Sequence, residues 1–266
     1  MTMTDWLTNA LRPHSFRGKL RLLGPLTPRQ GRRAASVFNL RMELDLSDSI
    51  QRHIYLGAYE PHETDIVRRW LKPGMTFVDA GANVGYFTAL AASCMGPSGR
   101  VFSFEPQPQS FRKLSAMIER NRLHQVSAFQ CGLSSAEGEL PLYLAPEDDG
   151  EQNATMVAHG AARRVVVPVK TLDQCARDFN IDRIDLLKVD VEGHEPQLFK
   201  GAARLLAERR IRAVLCEFNQ VWLEKAGSSA EALHSELERA GFKDEDGAAH
   251  FNPSTMVTRF LYLPAA

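Results

Sequence analysis

The segment from Phe77 to Thr88 constrains this chain more than any other. It reads as a short apolar strand, a turn carrying Gly81, Asn83 and Gly85, and the opening of a helix. Glycines let a turn adopt φ > 0 and come close to a ligand, and the unpaired N–H groups of the following helix point at whatever sits in the turn. A strand, turn and helix in this order is the first half of a βαβ unit, so the pattern asks for a parallel sheet. The turn reads G-x-N-x-G with Asp79 just before it, not the G-x-G-x-x-G that seats a dinucleotide pyrophosphate. A carboxylate there repels a pyrophosphate and suits a ligand with a cationic end.

The run from Gly99 to Pro106 reads as a second strand ending in Glu105. Glu105 follows the glycine turn by about 20 residues, where a βαβ unit places the acid that accepts ribose hydroxyls. A ribose-bearing cofactor with an ammonium group at its other end describes S-adenosylmethionine and not NAD.

Between its termini the chain alternates strands and helices. Strands are expected near 75–80, 100–105, 125–131, 184–190 and 211–217, and helices near 84–95, 108–122, 171–179 and 195–208. Such alternation gives one doubly wound α/β domain. After a helix near 229–240, residues 241–246 and 256–263 read as a closing strand pair with an antiparallel edge. The connection holding residues 138–170 is long enough for an inserted hairpin, whose acidic tip runs Glu147-Asp148-Asp149-Gly150-Glu151. Ahead of residue 74, a cap over 41–73 combines strands at 41–46 and 51–56 with a helix from Pro61 to Trp70.

Formal charge is zero over 266 residues, but residues 1–42 hold eight Arg or Lys against Asp5 alone. Residues 1–40 are therefore read as a basic arm. Its aromatic content is sparse, which favours a solvated arm over a nucleic-acid contact. Cys94, Cys131, Cys175 and Cys216 form no C-x-x-C, so they read as buried thiols of a reducing compartment. No apolar run has the length of a membrane span, and no signal-like N-terminus is evident. A cytoplasmic protein acting on a small molecule is the expectation, with a homo-oligomer allowed and no nucleic-acid partner.

The most unusual strand runs from Ile184 to Asp190 and leads into Val191-Glu192-Gly193-His194-Glu195. Alternation puts Lys188, Asp190 and Glu192 on one side. A charge in a central strand needs a partner, so Lys188 should find an acid and Asp190 should stand at the carboxyl rim, where open α/β sheets bind ligands. Glu217 ends the next strand at the same rim. Asp190, Glu192, His194 and Glu217 are the candidate proton acceptors, and His194 starts nearest neutral pKa. Tyr59, Tyr86 and Trp222 are candidate pocket aromatics.

These residues resemble the FkbM family of S-adenosylmethionine-dependent methyltransferases. The resemblance runs from Gly57-Ala58-Tyr59-Glu60 and Lys72-Pro73-Gly74 through the glycine turn, Phe104-Glu105-Pro106, Leu133-Ser134 and Thr171-Leu172-Asp173 to the segment 187–195, Lys200-Gly201-Ala202 and Leu215-Cys216-Glu217. It implies the class I methyltransferase fold, a Rossmann-like seven-stranded sheet, over residues 74–266. It also implies cofactor contacts from Asp79, Gly81, Asn83, Gly85 and Glu105, and O-methylation of a sugar or natural-product hydroxyl. Tyr86, Pro106, Leu133 and Asp190 join the expected cofactor site, and Tyr59 and Trp222 the acceptor site. No metal is expected. The rival readings are a cation-assisted transferase using Asp190, Glu192 and Glu217, an inactive cofactor-binding subunit, and, more distantly, an NAD oxidoreductase.

Overall fold

The computed structural model describes residues 19–25, 27–144, 154–158, 163–245 and 256–264. It opens with α1 (Lys19–Leu23) and a hairpin of β1 (Arg32–Val37) and β2 (Leu40–Asp45), paired antiparallel through Phe38 and Asn39. Both turn residues have positive φ, 53° and 63°, as a two-residue hairpin loop requires. Next come α2 (Ser49–Leu56) and α3 (Pro61–Trp70).

Two expectations change here. Residues 51–56 are helical, not a strand: Asp48 caps α2 by accepting from Gln51 N at 2.8 Å, and Gly57 closes it in the left-handed conformation. The basic arm is also shorter than expected. From Lys19 onward the chain is built into the fold: Leu23 and Val37 are buried, and Lys19 Nζ donates to Gly57 O at 2.9 Å. The excess of Arg and Lys disguised this, because an amphipathic side chain such as Lys19 can bury its stem while its head finds a carbonyl.

The main sheet is threaded by β3 (Thr76–Ala80), α4 (Tyr86–Met95), β4 (Arg100–Phe104), α5 (Pro108–Asn121) and β5 (Val126–Phe129). The insertion follows as β6 (Gly132–Leu133), β7 (Gly138–Leu144), β8 (Ala154–Thr155) and β9 (Arg163–Lys170). The chain then returns through α6 (Leu172–Asp178), β10 (Leu186–Val189), α7 (Glu195–Lys200), α8 (Ala203–Ala207), β11 (Ala213–Asn219), α9 (Gln220–Lys225), α10 (Ala230–Arg239), β12 (Lys243–Asp244) and β13 (Met256–Tyr262).

The seven strands lie in the order β12-β13-β11-β10-β3-β4-β5. It is a seven-stranded sheet, as the resemblance implies. Strands β3 and β10 are buried along their whole length, as befits a parallel sheet covered on both faces. Residues such as Phe77, Leu90 and Leu215 build the core on one face, and Val78, Leu187 and Phe199 the core on the other. The antiparallel strand is β13, but it is not the edge: it lies between β11 and β12. The helix expected over 195–208 is two helices, because Asp173 reaches in to accept from Arg204 N and Leu205 N at the head of α8.

The inserted hairpin is present, with β7 and β9 antiparallel and Leu142 facing Val165. Strands β6 and β8 extend it into a separate four-stranded sheet. Its acidic tip, 147–151, lies outside the described residues. None of the described helices is long and apolar enough to cross a membrane.

Deleting residues 1–38 removes β1 and strands the apolar face of β2. Loss of Leu23 and Val37 alone costs about 3–6 kcal/mol, so the truncated chain should unfold at markedly lower denaturant than the full chain. An unchanged midpoint would show that these residues do not belong to the fold.

Candidate active site

The strand order reverses between β3 and β10, whose outgoing loops diverge to opposite sides of the sheet. Ligands of open α/β sheets bind at such a point. Here it opens into a cavity of about 450 Å³, lined by the loops after β3, β4 and β10 and by residues of α2 and the inserted hairpin.

On one side stands the glycine turn. Asn83 has φ 49°, and its N–H donates to Glu105 Oε2 at 2.7 Å, while Gln107 N–H donates to Glu105 Oε1 at 2.8 Å. Each oxygen of this buried carboxylate is thus held by one backbone donor and keeps a second lone pair for a ligand. Burial pushes Glu105 up to about 7. Packing alone already demands glycine at two positions of this turn. A Cβ on Gly81 would lie 1.8 Å from Asp190 O, and one on Gly85 would lie 2.7 Å from Leu114 Cδ1. Gly81 is therefore what lets the loops of neighbouring strands touch, and Gly85 what lets α5 approach.

Asp79 and Gly85 do not line the cavity. Asp79 is fully buried beneath it, accepting from Thr88 Oγ1 at 2.6 Å. Its Oδ1 has no hydrogen bond but lies 4.0 Å from Lys188 Nζ. A carboxylate placed there steadies Lys188. Lys188 also donates to Asp190 Oδ2 at 3.0 Å and to Gly81 O at 3.3 Å, so the acid partner expected for it is present. Burial opposes the ammonium charge, but Asp190 and Asp79 outweigh it and hold the Lys188 pKa above the usual lysine value.

Gly81, Asn83, Tyr86, Glu105, Pro106 and Leu133 line the cavity, as do Asp190, Glu192, His194, Glu217, Tyr59 and Trp222. Tyr86 acts as a strut: its hydroxyl donates to Tyr59 O at 3.2 Å and meets Thr64 Oγ1 at 3.0 Å, fixing the loop before α3. Strand β10 ends at Val189, and Glu192 in the turn beyond it has φ 51°, yet its carboxylate stays with the others. One oxygen from each of Asp190, Glu192 and Glu217 falls within 4.8 Å of the rest. Such a cluster has the ligand chemistry of a hard cation. The Lys188 ammonium already stands against Asp190.

Burial, then Asp190 and Glu192, raise Glu217 well above the usual carboxylate range, and its Oε2 is enclosed without a hydrogen-bond partner. His194 moves the other way. Burial lowers it to about 4, so it is neutral at neutral pH, with Nε2 3.0 Å from Ser134 Oγ. Its solution pKa therefore misleads about its part as a base.

Three further residues belong to the site. Glu60 lines the cavity beside Tyr59, and burial together with Asp190 raises it to about 7. Its only sequence signal was its place in Gly57-Ala58-Tyr59-Glu60. Glu195 is buried and accepts from Val191 N at 3.2 Å and Gly193 N at 3.3 Å, clamping the turn after β10. Thr155, from the insertion, donates to Glu192 O at 2.6 Å. That contact links segments 37 apart in sequence and leaves no local trace.

Residues 79–243 match the Methyltransferase FkbM domain, more than half of the chain. The chain belongs to the FkbM methyltransferase family. This FkbM-family chain is 35% identical over 179 residues to Methyltransferase sdnD of Sordaria araneosa, covering 56% of this chain and 67% of that one. It is 33% identical over 144 residues to Methyltransferase 1 of Beauveria bassiana, covering 47% and 57%. It is 27% identical over 149 residues to the hexuronic acid methyltransferase AglP of Haloferax volcanii, covering 54% and 58%. The match thus spans little more than half the length of the last two. A solved FkbM methyltransferase from Methylobacillus flagellatus is 16% identical with a TM-score of 0.47, covering 82% of this chain and 53% of that one.

The cofactor of this FkbM-family chain is S-adenosylmethionine, and the site fits it. Glu105 offers a carboxylate with free lone pairs to a diol, while the acids across the cavity suit a sulfonium.

Replacing Glu105 with Ala should weaken S-adenosylhomocysteine binding by about 1–3 kcal/mol in calorimetry. Wild-type affinity should itself fall as pH drops below about 7, because protonation of Glu105 removes the acceptor. Equal binding by wild type and variant would contradict the assignment.

Proposed function

We propose that this chain transfers a methyl group to a hydroxyl of a small molecule, a sugar or a natural product. The observation that carries this reading is the convergence of Asp190, Glu192 and Glu217 on the cavity, across from the Glu105 side. An alcohol does not ionise at neutral pH, so its oxygen needs a proton acceptor and needs to be held in line with the reacting carbon. The sugar class is supported by the name of the Haloferax relative.

S-adenosylmethionine supplies an electrophilic methyl on a sulfonium when bound. Asp190 is the proposed base: its carboxylate faces the cavity and is oriented by Lys188. Glu217, which burial pushes toward its protonated form, is the proposed hydrogen-bond donor to the acceptor oxygen. His194, neutral and tied to Ser134, shapes the wall. Ile54, Met156 and Trp222 give the acceptor an apolar surface.

Asp190→Asn should lower turnover by about 10²–10⁴-fold with S-adenosylhomocysteine affinity nearly unchanged. His194→Ala should cost less and leave the pH–rate profile between pH 6 and 8 unaltered, since its titration lies near 4. A rate limb near pH 6–7 that vanishes in His194→Ala would make histidine the base instead.

The oxygen cluster of Asp190, Glu192 and Glu217 favours a second reading, in which a divalent cation orients the acceptor. Asp190 is already ion-paired with Lys188, so the metal-free reading stands first. Transfer should survive EDTA; activity lost to the chelator and restored by magnesium would reverse the order.

A further inference from the structure

The turn after β10 carries two of the three clustered carboxylates, Asp190 and Glu192, and its backbone is held from two directions. Glu195 accepts from Val191 N at 3.2 Å and from Gly193 N at 3.3 Å. Thr155, on β8 of the inserted sheet, donates from Oγ1 to Glu192 O at 2.6 Å. The peptide joining Glu192 to Gly193 thus has its carbonyl fixed by one side chain and its N–H by another, which sets the plane of that peptide. Helix α9 packs against the same turn: a Cβ on Gly193 would lie 2.8 Å from Trp222 Cβ.

Glu192 needs that hold. It is a non-glycine residue with φ 51°, a conformation that persists where the surroundings enforce it. With its backbone so placed, a carboxylate oxygen of Glu192 falls within 4.8 Å of those of Asp190 and Glu217. Thr155 is itself buried, and its hydroxyl works in both directions, donating to the Glu192 carbonyl and accepting from Val157 N at 3.0 Å. Branching at Cβ leaves threonine few rotamers to lose in taking up this position. Thr155 does not line the cavity, but its neighbours Ala154 and Met156 do. Met156 lies so close to Gly132 that a Cβ there would stand 2.2 Å from Met156 Cε. One short stretch of the insertion therefore forms cavity wall and grips the turn after β10.

We infer that Thr155 is a positioning residue for methyl transfer: through the Glu192 carbonyl, the inserted sheet sets where the Glu192 carboxylate stands against Asp190 and Glu217. This rests on the methyl-transfer reading above. The effect of Thr155 passes through one hydrogen bond to backbone. Losing that bond frees the turn to sample other conformations, and a displacement of about 1 Å is enough to take a group out of line with a reacting atom. The cofactor side is built separately, with Glu105 held by Asn83 N and Gln107 N, and keeps its affinity when Thr155 changes.

The test compares full-length Thr155→Val and Thr155→Ser with the wild type. Valine keeps the volume and removes both bonds of the hydroxyl, whereas serine can make both; Thr155→Ala stands in if the valine variant does not fold. Amide hydrogen exchange on fragments covering 190–195 reads the turn directly and needs no acceptor. Exchange there should be about tenfold faster in Thr155→Val, the effect of one lost buried hydrogen bond, and near wild type in Thr155→Ser, with fragments covering 79–86 alike in all three. Unchanged exchange in the valine variant overturns the inference. Methyl-tritiated S-adenosylmethionine and a deproteinised cell extract then read transfer. Thr155→Val should label on the order of tenfold more slowly at saturating extract, with S-adenosylhomocysteine affinity unchanged, and Thr155→Ser should restore the rate. A wild-type rate in Thr155→Val, or an equal loss in Thr155→Ser, overturns the role of the hydroxyl while leaving methyl transfer intact. In a Glu192→Gln background Thr155→Val should cost little more, because it acts through Glu192, and full additivity of the two losses contradicts that route. No label from the wild type, with S-adenosylhomocysteine still bound, overturns the transfer reading and the part of Thr155 in it.

Discussion

A single buried ammonium group holds this site together. Lys188 sits in the middle strand of a sheet covered on both faces, where an unpaired charge would cost several kcal/mol. Asp190 just after its own strand and Asp79 on the neighbouring one compensate it, and Gly81 O takes a further hydrogen bond. These partners come from the two strands between which the sheet order reverses. One ion cluster therefore ties the cofactor loop to the acceptor loop, and the close contact of Gly81 with Asp190 O needs the same registration. Removing Lys188 alone would leave two carboxylates uncompensated, whereas removing Asp190 leaves Asp79 in place.

Legibility in the sequence followed range. The parallel sheet showed in the alternation of apolar runs and glycine turns, and Glu105 in its distance from the turn, because both are local patterns. Helix α2 was misread as a strand, since its apolar residues over 51–56 satisfy either period and the decisive signal, the Asp48 cap, lies before them. Asp79 lies beneath the cavity and not in its wall, a difference that charge alone does not signal. Glu60 and Thr155 enter the site through contacts distant in sequence, from segments with no chemistry of their own. His194 had the right type for a base, but burial moved its pKa to about 4.

The cavity divides its labour by charge and support. On the cofactor side, backbone N–H groups pin one carboxylate, so orientation matters more than the number of charges. On the proposed acceptor side, burial first and then the nearby Asp190 push Glu60 and Glu217 upward in pKa. The cap and the insertion complete this side: Tyr86 anchors the loop carrying Glu60, and Thr155 anchors Glu192.

A crystal structure of the full chain with S-adenosylhomocysteine tests the central claim most directly. The account predicts both ribose hydroxyls within hydrogen-bonding distance of the Glu105 carboxylate, and the thioether sulfur facing the acids around Asp190 with Lys188 still bridging Asp190 and Asp79. A ribose bound away from Glu105, or a sulfur turned from Asp190 toward the outer wall, would contradict it.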